Sequence, residues 1–264
     1  MPDKELRRGI QYYLKGEPEM AIECLDRYLE QSKDIDGQAH FYKGLAYYDI
    51  SEFAESISNF KEAISINPLF AQYYYRLGIA YARMFQHEEA IQALKKSLEL
   101  NNNNNRAKFI LGTIYFEIGE FEKGILYFKE ITNKNKQHTA ARYYYALSLY
   151  YTGDVKSAIQ ILEEIIEINQ NYFDAYTKLI EFLIKAEDID NAMEIAIKGL
   201  DKGYKNTDTF IKIIEGCCRL KQMDKIETFI NEISRYENLS LEFNKIIEVL
   251  NDIKKIKKEV GYAS

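Results

Sequence analysis

Four segments of the chain open on the same pattern: Gly9–Ile10–Gln11–Tyr12, Gly44–Leu45–Ala46–Tyr47, Gly78–Ile79–Ala80–Tyr81 and Gly112–Thr113–Ile114–Tyr115. The glycines stand 35, 34 and 34 residues apart. Twelve residues after each comes a small residue followed by Ile: Ala21–Ile22, Ser56–Ile57, Ala90–Ile91 and Gly124–Ile125. A fixed period near 34 with small residues at fixed offsets predicts a stack of helical hairpins, each packing only on its neighbours. Such a chain offers a long surface to something else.

Numbering each unit so that the opening Gly is position 8 puts unit starts near Pro2, Gly37, Ala71, Asn105, Thr139, Phe173 and Thr207. Position 20 continues as Ala158 and Ala192 and ends as Ile226, while position 8 drifts to Ala146, Ile180 and Ile214. The reading is seven tandem repeats over residues 1–238. Two helices approach closely only where a side chain is nearly absent, so the small residues at 8 and 20 should face each other. A ring at position 11 and an apolar residue at 24 (Leu25, Phe60, Leu94, Phe128, Leu162) should fill the space beside them. Apolar residues at helical spacing, as in Phe53, Ile57, Phe60 and Ile64, supply the buried stripe. Gly16, Gly119 and Gly153 fall where hairpins should turn, and the Asn101–Asn105 run reads as a polar loop ending in an N-cap.

Composition narrows the function. Hydrophobic residues make up 47% and charged residues 29%, which suits a well-ordered helical protein. A net charge of −6 argues against a dedicated nucleic-acid binder. Cys24, Cys217 and Cys218 make no disulfide framework and read as buried small apolar residues in a reducing compartment. No apolar run spans a bilayer, and the charged N-terminus has no signal-peptide core, so the expected location is cytoplasmic. His40, His87 and His138 fall in three different units, too dispersed for a metal cluster. No phosphate loop, nucleophile elbow or Cys-x-x-Cys motif is present. No enzyme activity, cofactor or metal is expected.

The opening Gly and Tyr, the small residue at 20 and the apolar residue at 24 resemble the tetratricopeptide repeat, over roughly residues 2–238. The second unit is the fullest copy, with Gly44, Tyr47, Phe53, Ile57, Phe60, Ala63 and Pro68. Position 4, usually a large apolar residue in that family, is Glu5, His40, Tyr74, Lys108, Arg142, Tyr176 and Phe210, which suggests local repacking. The resemblance implies an all-α right-handed solenoid of helix-turn-helix repeats. Beyond it, residues 239–260 carry one apolar stripe with lysines in the last turns and read as a capping helix, followed by a tail at 261–264. A basic membrane-surface helix is the alternative for that segment.

The chain has 22 Tyr, 14 Phe and no Trp. In the family, first-helix positions 2, 5, 6, 9, 12 and 13 line the concave groove. Carried over, they give Phe41, Tyr42 and Tyr48; Tyr75, Arg76 and Arg83; Arg106, Phe109 and Phe116; and Tyr143, Tyr144 and Tyr150. The last two units are charge-mixed instead, with Lys178, Glu181, Lys185, Lys212, Glu215 and Arg219. Tyr and Arg anchor protein interfaces because they bury flat area and still offer hydrogen bonds. The expected function is non-catalytic: a scaffold or adaptor that lays a protein segment in an aromatic, locally basic groove. Arg76, Arg83 and Arg106 beside Tyr75 and Phe109 should form one patch, suited to a segment rich in Asp or Glu with a large apolar anchor. The residues that some relatives use to clamp a chaperone's C-terminal carboxylate are missing at positions 5 and 9, for example Phe41/Leu45 and Tyr75/Ile79, so that partner class is disfavoured. The rival reading is a structural subunit of an assembly or homo-oligomer, packing through its ends or convex face.

Overall fold

The structure, a computed structural model, describes residues 2–236; the capping helix expected at 239–260 and the tail at 261–264 lie outside them. Among the described residues there are fourteen α-helices and no strand. They pair as hairpins: α1 (Pro2–Leu14) with α2 (Pro18–Gln31), α3 (Gln38–Asp49) with α4 (Phe53–Ile66), α5 (Ala71–Arg83) with α6 (His87–Leu100), and α7 (Asn105–Glu117) with α8 (Phe121–Lys134). Then follow α9 (Thr139–Tyr151) with α10 (Val155–Ile168), α11 (Phe173–Lys185) with α12 (Ile189–Leu200), and α13 (Thr207–Arg219) with α14 (Met223–Ile233). The chain divides into two compact units, α1–α8 ending at Lys134 and α9 onward beginning at Asn135. Within each, the second helix of a hairpin packs on the first helix of the next, as α4 does on α5 and α12 on α13.

The opening glycines face the small residue at position 20, as expected: a Cβ on Gly9, Gly44 or Gly78 would stand 3.2–3.3 Å from the carbonyl oxygen of Ala21, Ser56 or Ala90. The tightest approach to each comes from the side chain at position 24. A Cβ on Gly9 or Gly78 would stand 2.6 Å from Cγ of Leu25 or Leu94, and one on Gly44 or Gly112 within 2.8 Å of the Phe60 or Phe128 ring. Those four large side chains are fully buried. Complete burial of one such side chain contributes about 1.5–3 kcal/mol, which the missing Cβ makes possible. The small residue at 20 lets the two backbones approach: Ser56 Oγ donates to the Gly44 carbonyl at 2.8 Å.

Each hairpin turns by one device. The residue at position 15 takes the left-handed conformation: Gly16, Ser51, Phe85, Gly119, Gly153, Glu187 and Lys221, with φ between +56° and +95°. The next residue then donates its backbone N–H back to position 11, as Glu52 does to Tyr47 and Gln86 to Tyr81, both at about 3.0 Å. These bonds satisfy carbonyls the helix end leaves open. Asn104 caps α7, accepting from the Ala107 N–H at 3.1 Å.

The polar residues at position 4 also find a reason. Glu5 faces Arg27 at 4.0 Å, Lys108 pairs with Glu130 at 2.5 Å, and Arg142 pairs with Glu164. In each case the partner is position 26 of the same hairpin, so a cross-helix ion pair replaces the family's apolar contact. Where position 4 is apolar or aromatic, Tyr176 and Phe210 are simply buried. Cys24 and Cys217 are buried, and burial pushes the Cys217 thiol up to about 11; Cys218 is exposed, contrary to the expectation for all three.

Candidate protein-binding face

In the first unit the candidate residues lie on α3, α5 and α7, which pack in sequence. Their rings are half-buried, because each also fills space between neighbouring helices. Phe41 sits 4.8 Å from the Tyr73 ring and 5.8 Å from Phe60, Tyr42 meets Tyr13 edge-on at 5.7 Å, and Tyr48 meets Phe53 at 5.4 Å. Phe109 and Phe116 stand edge-on to Phe128 and Phe121, at 6.1 and 5.4 Å. Tyr75 is only 7% exposed, so it offers a ligand little more than an edge.

The arginines separate into two places. The Arg76 guanidinium lies 5.8 Å from the Tyr75 ring centre. Burial pushes the Tyr75 hydroxyl up, and Arg76 and Arg106 pull it part of the way back, which puts both cations within electrostatic reach of it. Arg83 stands two turns further along α5, exposed, with its guanidinium 5.6 Å from the Phe53 ring centre. None of the three pairs with a carboxylate among the described residues, Glu117 included. Arg76 Nε is moreover buried without a hydrogen-bond partner. Arg83 and Glu117 both line a cleft of 510 Å³, together with Ile79, Ala82, Ile110, Ile114, Phe53 and Phe85. Sequence reasoning placed Phe53 in a buried stripe rather than at the face and did not single out Phe85; for Phe85 the available signal was a Phe at the turn position that three hairpins fill with Gly.

In the second unit, Tyr143 is half-buried against Tyr144 and Tyr172, with ring centres 5.8 and 5.5 Å away. Burial, then the nearby Asp174, pushes its hydroxyl far up. Tyr150 stacks face to face on Phe182 at 3.6 Å, with Lys185 Nζ 5.4 Å from its ring centre. Here too a cleft opens, 460 Å³ between α11 and α13. Several of its charges are engaged within the unit. Glu181 accepts from Lys178 at 2.8 Å and Lys212 at 2.6 Å, and Arg219 donates to the Ile184 carbonyl at 3.2 Å. Burial pushes the Glu181 carboxyl up, and the two lysines more than offset it, holding it below its ordinary value.

Among the described residues no three His, Cys, Asp or Glu side chains group as metal ligands, and no helix is long and apolar enough to cross a membrane.

Fold and face together define a helical-repeat array that presents first-helix side chains in a row. The family comparisons agree. Residues 44–84 match a TPR repeat model, residues 149–208 a tetratricopeptide repeat model, and residues 83–165 the model of anaphase-promoting complex, cyclosome, subunit 3. No curated protein matches the chain. Among solved structures, a tetratricopeptide repeat protein from Parabacteroides merdae ATCC 43184 is 12% identical, with a TM-score of 0.65 over 94% of this chain and 97% of that one. YrrB, described as a TPR protein with an unusual peptide-binding site, is 19% identical, with a TM-score of 0.61 over 68% and 92%. The MamA protein is 22% identical, with a TM-score of 0.60 over 64% and 92%. At these identities the structures speak for the fold. The chain resembles the tetratricopeptide-repeat family, and its fold is an all-α solenoid of such repeats. Repeats of this class are scaffolds for protein interaction and are typically non-catalytic.

Proposed function

We propose that the α3–α5–α7 face binds a protein segment rich in Asp or Glu that carries at least one large apolar side chain. One observation carries this reading: Arg76, Arg83 and Arg106 have no carboxylate partner among the described residues, in a chain of net charge −6. In such a chain, surplus carboxylates would be expected to pair with exposed arginines. Three left open beside half-buried rings favour an acidic ligand, whose carboxylates a guanidinium receives in a planar fork. Phe41, Tyr42, Tyr48, Tyr75, Phe109 and Phe116 contribute ring edges for the apolar part. Tyr143, Tyr144 and Tyr150 offer the same kind of edge in the second unit. The role is that of a non-catalytic adaptor.

The test uses synthetic peptides of ten to fifteen residues, roughly half Asp or Glu, each with one central apolar residue, titrated against the whole protein. The triple variant Arg76→Ala, Arg83→Ala, Arg106→Ala should lose affinity, by about 1–3 kcal/mol for each arginine whose ion pair becomes buried and much less for a rim pair. The loss should shrink as salt is raised. Unchanged affinity at low salt would remove the arginines from the reading.

A further inference from the structure

Every hairpin turns through one left-handed residue, and at Phe85 that residue suits neither the turn nor water. Its φ is +56° and its side chain is 80% exposed. A bulky residue in this region is strained, which is why Gly dominates there. The six equivalent positions carry Gly16, Ser51, Gly119, Gly153, Glu187 and Lys221, all small or charged. Phe85 gains little burial in return, and its ring stands edge-on to His87 at 6.2 Å. It lines the 510 Å³ cleft together with Ile79, Ala82, Arg83 and, on α7, Ile110 and Glu117.

We propose that this cleft seats the apolar side chain of the acidic segment, that Phe85 forms its outer wall, and that Arg83 receives the carboxylate next to that side chain. The inference rests on the acidic-segment reading above and adds where the anchor goes. Charge complementarity selects the occupant. Arg83 makes no ion pair with a described residue and leans on Phe53, free to take a carboxylate in a fork. Glu117 sits on the facing helix and repels a second one. The segment is therefore read with a polarity: an acidic residue on the α5 side of the anchor and a neutral or basic one on the α7 side. A strained, exposed aromatic at the rim of an apolar cleft is costly to the free protein and useful once the cleft is filled.

The substitution Phe85→Gly separates the two roles because they predict opposite signs. Gly relaxes the turn and removes an exposed ring, so the melting temperature should stay the same or rise. Affinity for peptides with a central Leu or Phe should fall about tenfold, the scale of an interface anchor. The preference for Leu over Ala at the centre of the peptide should fall with it. Phe85→Ser, the residue of the second hairpin's turn, should behave alike. A lowered melting temperature with unchanged affinity would make Phe85 a packing residue and overturn the inference. Wild-type affinity in Phe85→Gly alongside loss in the triple arginine variant would sink the anchor seat and leave the acidic-segment reading standing. No binding of any such peptide by the wild-type protein would sink both. A wild-type dimer in sedimentation that Phe85→Gly abolishes would give the cleft to a second copy of the chain and overturn the proposal.

Discussion

The hairpins of the two compact units divide size differently at the helix crossing, except that Ala146 and Leu162 of α9 and α10 keep the small–large order of the first unit. In the first, position 8 is Gly in all four hairpins and position 24 is a large residue lying over it. In the second, the hairpin of α11 and α12 reverses this: Ile180 stands at position 8 and Ala196 at position 24, both fully buried. The hairpin of α13 and α14 has Ile214 and Ile230 there, and its small residue, Gly216, meets Ile189 and Ile184 instead, the former 2.9 Å from where its Cβ would be. At the α11–α12 crossing the volume is thus divided the other way round, with the large side chain on the first helix and the small one on the second. The units differ equally in their polar faces. The first leaves arginines open beside rings; the second ties Lys178 and Lys212 to Glu181 and Arg219 to a backbone carbonyl. The same helix face thus carries arginines without a carboxylate partner among the described residues in one unit and internally bonded charges in the other.

The size reversal gives the largest expected effects. Ile180→Ala should open a cavity and cost about 2–5 kcal/mol. Gly78→Ala, which adds at the equivalent position the very methyl the other change leaves, should cost about 1–3 kcal/mol by overpacking against Leu94. Combining Gly78→Ala with Leu94→Ala should cost less than the sum of the two, because the alanine side chain vacates the crowded space. Chemical denaturation measures all of these, and strict additivity would break the shared-volume account.

Next comes the buried cation of the first unit. Glu130→Ala leaves Lys108, whose side chain is 3% exposed, without its partner. The expected loss is about 1–3 kcal/mol, less than for a fully buried pair because Glu130 is half-exposed. Lys108→Tyr, the residue type found at Tyr74 and Tyr176, should rescue the Glu130→Ala background if position 4 needs bulk rather than charge. Denaturation midpoints of the single and double variants decide this.

The smallest effect concerns the loop before α3. Asp34 is buried and accepts from the Gly37 and His40 backbone N–H groups at 3.1 Å, and lies 2.8 Å from His40 Nδ1. Burial pushes its carboxyl up, and the His40 ring and backbone more than offset this, leaving it below its ordinary value. A carboxylate held low stabilises above its unfolded pKa of about 3.9, and that contribution is lost as pH falls through the folded value. Asp34→Ala should therefore cost about 1–2 kcal/mol at neutral pH. The difference from wild type should narrow on acidification, below the usual carboxylate range. A gap that stays constant into strong acid would show that the lost contacts do not depend on ionisation.

The helical-hairpin pattern is legible in the sequence because its signals are local or strictly periodic. Gly9, Gly44, Gly78 and Gly112 announce close crossings, and Gly16, Gly119 and Gly153 announce turns. The turns at Ser51, Phe85, Glu187 and Lys221 carry no such mark, since the repeat's geometry imposes the left-handed conformation on residues that do not favour it. Lys108 and Arg142 read as departures from the family because their partners Glu130 and Glu164 lie 22 residues away, on the other helix. The candidate face is half legible: residue types and register identify a row of rings and arginines. How much of each ring is consumed by packing, as Tyr75 is, does not follow from register.

The sequence by itself determined the repeat, the all-α class and the register of the first-helix residues, because helix periodicity and side-chain size act within one hairpin. The tertiary structure decided which charges are paired and which stand open, that Arg76 lies against Tyr75 while Arg83 lies against Phe53, and that Phe85 lines a cleft. Those outcomes depend on distances between side chains of different helices, and a repeat fixes the register of such side chains without fixing what they meet.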